Sequence, residues 1–234
     1  MPGDGGLVGE WESTMRVIVF GATGMVGYGV LREALLAGDV TEVVTVGRTA
    51  TGQQHAKLQE IVHGDLADLE PIAERLTGVD ATFFCLGVSS AGMDETAYTH
   101  VTYDYTLAAG RALAEQSPGS TFVYVSGAGT DSTEKGRTMW ARVKGATENA
   151  LLKLDLDAYM FRPGFIQPVH GARSKTTLYR VVYAVGTPLF PLLRKVFPKS
   201  VTTTEILGRA MLAVARQGPT TRILGPAEIN KLGS

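Results

Sequence analysis

The sequence predicts an α/β protein built on a doubly wound parallel sheet, with a small C-terminal lobe on the substrate side. Three observations carry this. Apolar runs of strand length alternate with helical patterns through most of the 234 residues. The loops after six such runs begin at Gly21, Gly47, Gly64, Gly87, Ser126 and Pro163, residues suited to ending strands. Right-handed crossovers then leave few other topologies for six strands with helices between them. A chain with 44% hydrophobic and 19% charged residues can bury one substantial core. We therefore expect one domain over residues 15–217, preceded by a disordered leader at 1–14 and followed by a C-terminal segment at 218–234.

The first strand is expected at 16–20, where Arg16-Val17-Ile18-Val19-Phe20 is almost wholly apolar, and a helix at 25–37 follows its glycine turn. Strands at 42–46 and 58–63, a helix at 69–76 and a strand at 81–86 continue the alternation. A long helix at 95–116 leads to a strand at 121–126, a helix at 137–154 and a strand at 158–161. After that the pattern stops. Residues 164–200 contain prolines and aromatics between basic ends, which suggests a lid or substrate lobe, or equally a helix pair covering a sheet edge. A last helix is expected at 203–217.

The most informative stretch is Gly21-Ala22-Thr23-Gly24-Met25-Val26-Gly27, between the first strand and first helix. Gly21 suits a tight turn, Gly24 lets backbone amides approach a phosphate, and Gly27 allows close packing of the helix. The helix N-terminus would face the anion. In that context the turn reads as a dinucleotide pyrophosphate site including Thr23, Met25 and Val26.

Arg48, after the second strand, is where a carboxylate would favour the ribose of NAD(H); an arginine suits the 2′-phosphate of NADP(H), which we expect to be preferred. Asp65 would either hydrogen-bond the adenine amino group, with Leu66 bordering the ring, or cap the next helix. Leu86, Gly87 and Val88 would let the chain pass close to the adenosine ribose.

A net charge of −1 gives no electrostatic footprint for nucleic acid, so a small molecule is the expected ligand. The one cysteine, Cys85, excludes an internal disulfide framework, and the four histidines show no metal-ligand spacing. No metal is expected. The start of the chain lacks a basic segment and an apolar core, so we expect no secretory signal and a cytoplasmic protein. The apolar stretch 181–193 is interrupted by glycine and proline and falls short of the roughly 20 residues of a membrane span. An interfacial role for 179–197 is disfavoured by the same breaks.

Phe84-Cys85-Leu86-Gly87, Val101-Thr102-Tyr103-Asp104-Tyr105, Val125-Ser126-Gly127-Ala128-Gly129-Thr130-Asp131, Val143-Lys144-Gly145 with Glu148, and Phe161-Arg162-Pro163-Gly164 occur in that order. Together they resemble the atypical short-chain dehydrogenases/reductases, in particular the branch like Tat-interacting protein and the nitrogen regulator NmrA, within the NAD-dependent epimerase/dehydratase superfamily. The resemblance implies a Rossmann fold, NADP binding and a C-terminal substrate region. It also implies a turn at Pro163-Gly164 beneath the nicotinamide, and a homodimer through the helices at 95–116 and 137–154.

Chemistry in such proteins rests on a Tyr-x-x-x-Lys pair, in which the lysine holds the ribose and lowers the tyrosine pKa. Lys144 matches the lysine, but the tyrosine position is Trp140, whose indole has no proton to exchange near neutral pH. Gly127 and Ala128 stand where relatives often carry a substrate-orienting serine. Ser126 either binds substrate or caps its strand, and Tyr103 is the first candidate for a substitute phenol.

Two functions stay open. One is an NADP(H)-dependent oxidoreductase or epimerase-like enzyme acting on a small apolar carbonyl or alcohol, in which Val181, Tyr183, Val185, Phe190, Leu192 and Phe197 either line its pocket or, equally, form a core stripe or a dimer contact. The other is a non-catalytic protein that senses NADP(H) and changes a protein-binding surface.

Overall fold

The computed structural model describes residues 14–172 and 200–234. Seven parallel strands form its main sheet in the order β3-β2-β1-β4-β5-β6-β9. These are β1 (Met15–Phe20), β2 (Val40–Gly47), β3 (Leu58–Val62), β4 (Ala81–Phe84), β5 (Thr121–Val125), β6 (Asp157–Phe161) and β9 (Ile223–Leu224). The short strands β7 (Phe165–Gln167) and β8 (Val201–Thr203) pair parallel in a second sheet.

The central strands β1, β4, β5 and β6 are buried on both faces and read as mostly apolar runs, whereas the edge strand β3 is largely exposed. In β1 the alternation is still resolved: Val17 and Val19 enter one core with the helices α1 (Met25–Leu36), α5 (Thr204–Arg216) and α6 (Pro226–Gly233). Ile18 and Phe20 enter the other, beneath a 3₁₀ helix (Glu70–Leu76), α3 (Tyr105–Gln116) and α4 (Met139–Leu151). Glycines set the closest helix approaches. A Cβ on Gly29 would lie 2.5 Å from Thr204 Cβ, where α1 meets α5, and one on Gly110 would lie 2.8 Å from Leu151 and Leu154, where α3 meets α4.

The expected fold is the observed one, with three differences in detail. The sheet gains a seventh strand, because Ile223 and Leu224 pair with Met160 and Phe161, and α6 follows it with Pro226 in its first turn. The helix expected at 95–116 is divided by a π-helical turn (His100–Asp104) between α2 (Glu95–Thr99) and α3. The segment at 69–76 winds as 3₁₀ rather than α. Of the expected leader only Thr14 is described, and the proposed pocket residues Val181 to Phe197 lie outside the described residues. Among the described residues no helix is long and apolar enough to cross a membrane.

Candidate functional site

The turn after β1 uses its glycines for three different purposes. Gly21 has φ +78°, and a Cβ there would sit 2.7 Å from the Leu86 nitrogen, so only glycine lets the end of β4 pass. A Cβ on Gly27 would lie 2.2 Å from the Gly21 oxygen, which seats α1 directly on the turn. Gly24 is the N-cap of α1 and donates its N–H to the Gly21 carbonyl at 2.9 Å. No side chain caps the helix, and its first turn holds no acidic residue, so its amides and positive dipole end are left for an anion.

A cleft of about 390 Å³ opens at this point, across the carboxyl ends of β1, β4, β5 and β6. Ligands of doubly wound sheets sit at such an edge. Of the residues singled out from sequence, Gly24, Met25, Val26, Leu86, Gly87, Val88, Ser126, Lys144, Pro163 and Gly164 line it. Among the described residues, nothing beyond its chain neighbours lies within 4 Å of where a Cβ on Gly87 would sit. Gly164 is different: its Cβ would lie 2.4 Å from the Ser200 oxygen, so the approach of β7 to β8 accounts for that glycine. Cys85, Val125 and Gly127, part of the family segments but not assigned to the cofactor site, also line the cleft, as do Ser89 and Ile166, which no sequence signal marked. Burial pushes the Cys85 thiol well above its ordinary range.

Helix α4 closes the far side because Gly145 allows it. A Cβ on Gly145 would overlap the Asp131 oxygen at 1.8 Å, and Asp131 donates its N–H to the Ala141 carbonyl at 3.0 Å. This docking brings Lys144 to the end of β5, where its ammonium donates to the Ser126 carbonyl. Burial lowers the Lys144 pKa to about 8, with the negative charge of Glu148 acting in the opposite direction.

The Ser126 hydroxyl lies 2.5 Å from Glu148 Oε1 and within 3.1 Å of the Phe161 carbonyl, so its proton is directed into the protein. Glu148 is fully buried and takes a fork from Arg162, whose Nε lies 3.0 and 3.2 Å from its two oxygens. Glu148 and Arg162 were visible in the sequence as parts of separate motifs, but their meeting with Ser126 was not anticipated.

Trp140 stands one helical turn before Lys144, partly buried, with its ring edge 3.4 Å from the Cβ position of Gly129. Tyr103 does not line this cleft. It borders two grooves along the outer helices, with Leu107 and Arg111 in one and with Arg142 and Val143 in the other. Tyr103 lies in the π-helical turn that leads into α3, and these grooves follow the outer surfaces of α3 and α4 rather than the carboxyl edge of the sheet. Tyr124 is fully buried, and Tyr105 stands edge-on to His100.

At the other end of the dinucleotide path, Arg48 is exposed and has no hydrogen-bond or ion-pair partner among the described residues. Asp65 is also exposed; one of its oxygens accepts the Ala67 N–H at 2.9 Å, closing a local turn rather than capping a helix. Leu66 is only 2% exposed and packs in the core with Leu69 and Ile61, so it offers little surface to a ring. Thr23 is partly exposed in the glycine turn.

Comparison with known proteins agrees with this arrangement. Residues 21–187 match the family described as NAD(P)H-binding. The protein FMP52-2, mitochondrial, of Aspergillus oryzae is 26% identical over 224 residues, covering 92% of this chain and 95% of its own length. Its namesake in Scheffersomyces stipitis is 29% identical over 152 residues, 63% of this chain and 65% of its own.

Among solved structures, the enzyme WbmF of Bordetella bronchiseptica in complex with NAD⁺ superposes with a TM-score of 0.67 at 15% identity, covering 94% of this chain and 77% of that one. A UDP-N-acetylglucosamine 4-epimerase from Methanobrevibacter ruminantium gives 0.68 at 15% identity, over 91% and 76%. These likenesses show a shared Rossmann-type fold.

The relatives' names correct one expectation. They are called mitochondrial, against the cytoplasmic location expected here. A lone cysteine fits a reducing compartment but does not separate one such compartment from another. Fold, glycine turn and family match coincide over most of the chain: it belongs to the NAD(P)H-binding family of atypical short-chain dehydrogenase/reductase proteins.

Proposed function

We propose that this protein binds NADP(H) across the cleft and uses it as an oxidoreductase on a small apolar carbonyl or alcohol. The observation that carries the reading is the pairing, in one cleft, of an uncapped helix N-terminus behind Gly24 with the partly buried ammonium of Lys144. The first suits a pyrophosphate and the second the ribose hydroxyls next to the nicotinamide. The residues present fit the cofactor: among the described residues Arg48, in the loop after β2, has no partner, and no side chain or backbone beyond its neighbours crowds Gly87 between the two ends. When bound, a nicotinamide supplies hydride exchange. Lys144 would orient its ribose, the turn at Pro163 would face the carboxamide, and the apolar side chains of Val88 and Ile166 would exclude water. The names of the relatives support a mitochondrial setting.

A second reading has its own observation. Trp140 occupies the tyrosine position of the Tyr-x-x-x-Lys pair, and the Ser126 hydroxyl is directed at Glu148, so neither supplies an exchangeable proton to the cleft. That favours a protein that binds dinucleotide to sense it. NADPH titration followed by a panel of aldehydes, ketones and alcohols separates the two. Hydride transfer by the wild type that disappears in Lys144→Met supports the enzyme. Tight NADPH binding without turnover on any substrate supports the sensor.

A further inference from the structure

Lys144, Ser126, Glu148 and Arg162 come from three different elements and are joined by one continuous set of contacts. Lys144 and Glu148 are one turn apart on α4, Ser126 follows β5, and Arg162 follows β6. Glu148 receives the Ser126 hydroxyl on Oε1 and the Arg162 guanidinium on both oxygens, and Arg162 also donates to Ser132 Oγ at 2.5 Å. A carboxylate with no exposed surface is sustained only by such donors. The Ser126 residue it grips is the one whose carbonyl accepts from the Lys144 ammonium.

We propose that Glu148 is a positioning residue for Lys144: by clamping Ser126 between α4 and Arg162, it fixes the carbonyl that aims the lysine into the cleft. This rests on the reading of the cleft as a dinucleotide site. Glu148 itself does not line the cleft and touches neither cofactor nor substrate in this role. It acts twice on the same lysine. Through Ser126 it sets where the ammonium points, and through its charge it opposes the loss of that ammonium on burial. Among the described residues, the other titratable groups around this pair are Arg162 on the β6 side, the buried Tyr124 of β5, and Cys85 across the cleft. None of the three supplies a negative charge that could replace Glu148 near neutral pH, since burial holds both Tyr124 and Cys85 protonated.

The test uses Glu148→Gln, which keeps the shape and one acceptor but removes the charge. The Lys144 side chain is followed by ¹³Cε/¹⁵Nζ NMR across pH in the full-length protein without dinucleotide, its signal assigned with Lys144→Arg. The wild-type midpoint is expected near pH 8 and the Glu148→Gln midpoint clearly lower. In parallel, NADPH titrations are expected to give a Kd at least ~10-fold weaker in the variant, the size of a lost charge-assisted contact. An unchanged or raised Lys144 midpoint together with wild-type NADPH affinity overturns the proposal.

If Glu148→Gln does not fold, Ser126→Ala serves instead. It leaves the Glu148–Arg162 pair in place and removes only the clamped hydroxyl. It is expected to weaken NADPH binding without a comparable loss of thermal stability, and unaltered binding overturns the clamp. A wild type that binds no dinucleotide refutes the cofactor reading, while the lysine titration still judges the clamp.

Discussion

Replacing Gly27 by alanine tests whether the glycine turn and the helix seated on it form one rigid anion site. The added Cβ would lie 2.2 Å from the Gly21 oxygen, 2.6 Å from the Gly21 carbonyl carbon and 2.9 Å from Ala22 Cα. All three are backbone atoms, so no side-chain rotation relieves the overlap. Helix α1 has to lift until the closest pair regains the 3.4 Å of ordinary contact. Overpacking a core costs ~1–3 kcal/mol even where side chains can adjust, so a loss of about 3 kcal/mol is expected here.

For a chain of this size that lowers Tm by roughly 6–12 °C, readable by scanning calorimetry. Displacing the first-turn amides by this much exceeds the ~0.5 Å tolerance of a preorganised site. NADPH affinity, followed by cofactor fluorescence, should fall at least ~10-fold. Gly87→Ala is the control, since among the described residues its Cβ meets nothing within 4 Å beyond its chain neighbours. It should keep the wild-type Tm and lose NADPH affinity alone. A Gly27→Ala protein with wild-type Tm and wild-type Kd would refute the reasoning.

Three further outcomes are expected. Arg48→Ala should weaken NADPH by ~10-fold, the worth of a charge-assisted contact, and leave NADH unchanged; equal losses for both cofactors would remove Arg48 from the 2′-phosphate. Trp140→Tyr should raise or create turnover by ~10²-fold or more in a stopped-flow hydride-transfer assay, because it restores a proton donor one turn from Lys144; unchanged turnover would show that the phenol is not the missing group. NADPH binding should weaken as pH rises through about 8, where Lys144 loses the proton that makes it a cation. An unperturbed lysine would hold binding to about 10.5, and a flat profile up to that pH would contradict the assigned role.

What the sequence disclosed was local or periodic. The strand, glycine turn and helix at 15–36 are written in adjacent residues, and the central strands announce themselves as mostly apolar runs. Strand β9 was invisible because two residues, Ile223 and Leu224, make no pattern; only their pairing with Met160 and Phe161 makes them a strand. The π-helical turn at His100–Asp104 leaves no mark in the residue pattern, and Tyr103 within it borders the grooves of the outer helices rather than the cleft.

Leu66 looked like a loop residue beside a ligand, yet the fold turns it into the core. The junction of Ser126, Glu148 and Arg162 joins residues separated by 22 and 14 positions, and nothing in their local sequence states that they meet. Lys144 could be assigned by its spacing from Trp140, but not the lowering of its pKa, which comes from burial by elements far along the chain.

The most direct test of the account is calorimetric titration of NADPH and NADH into the wild-type protein and into Lys144→Met. Micromolar or tighter binding of NADPH is expected, with weaker binding of NADH and a loss of at least ~10-fold for NADPH when the ammonium is removed. Absence of binding by either dinucleotide at micromolar concentration would contradict it.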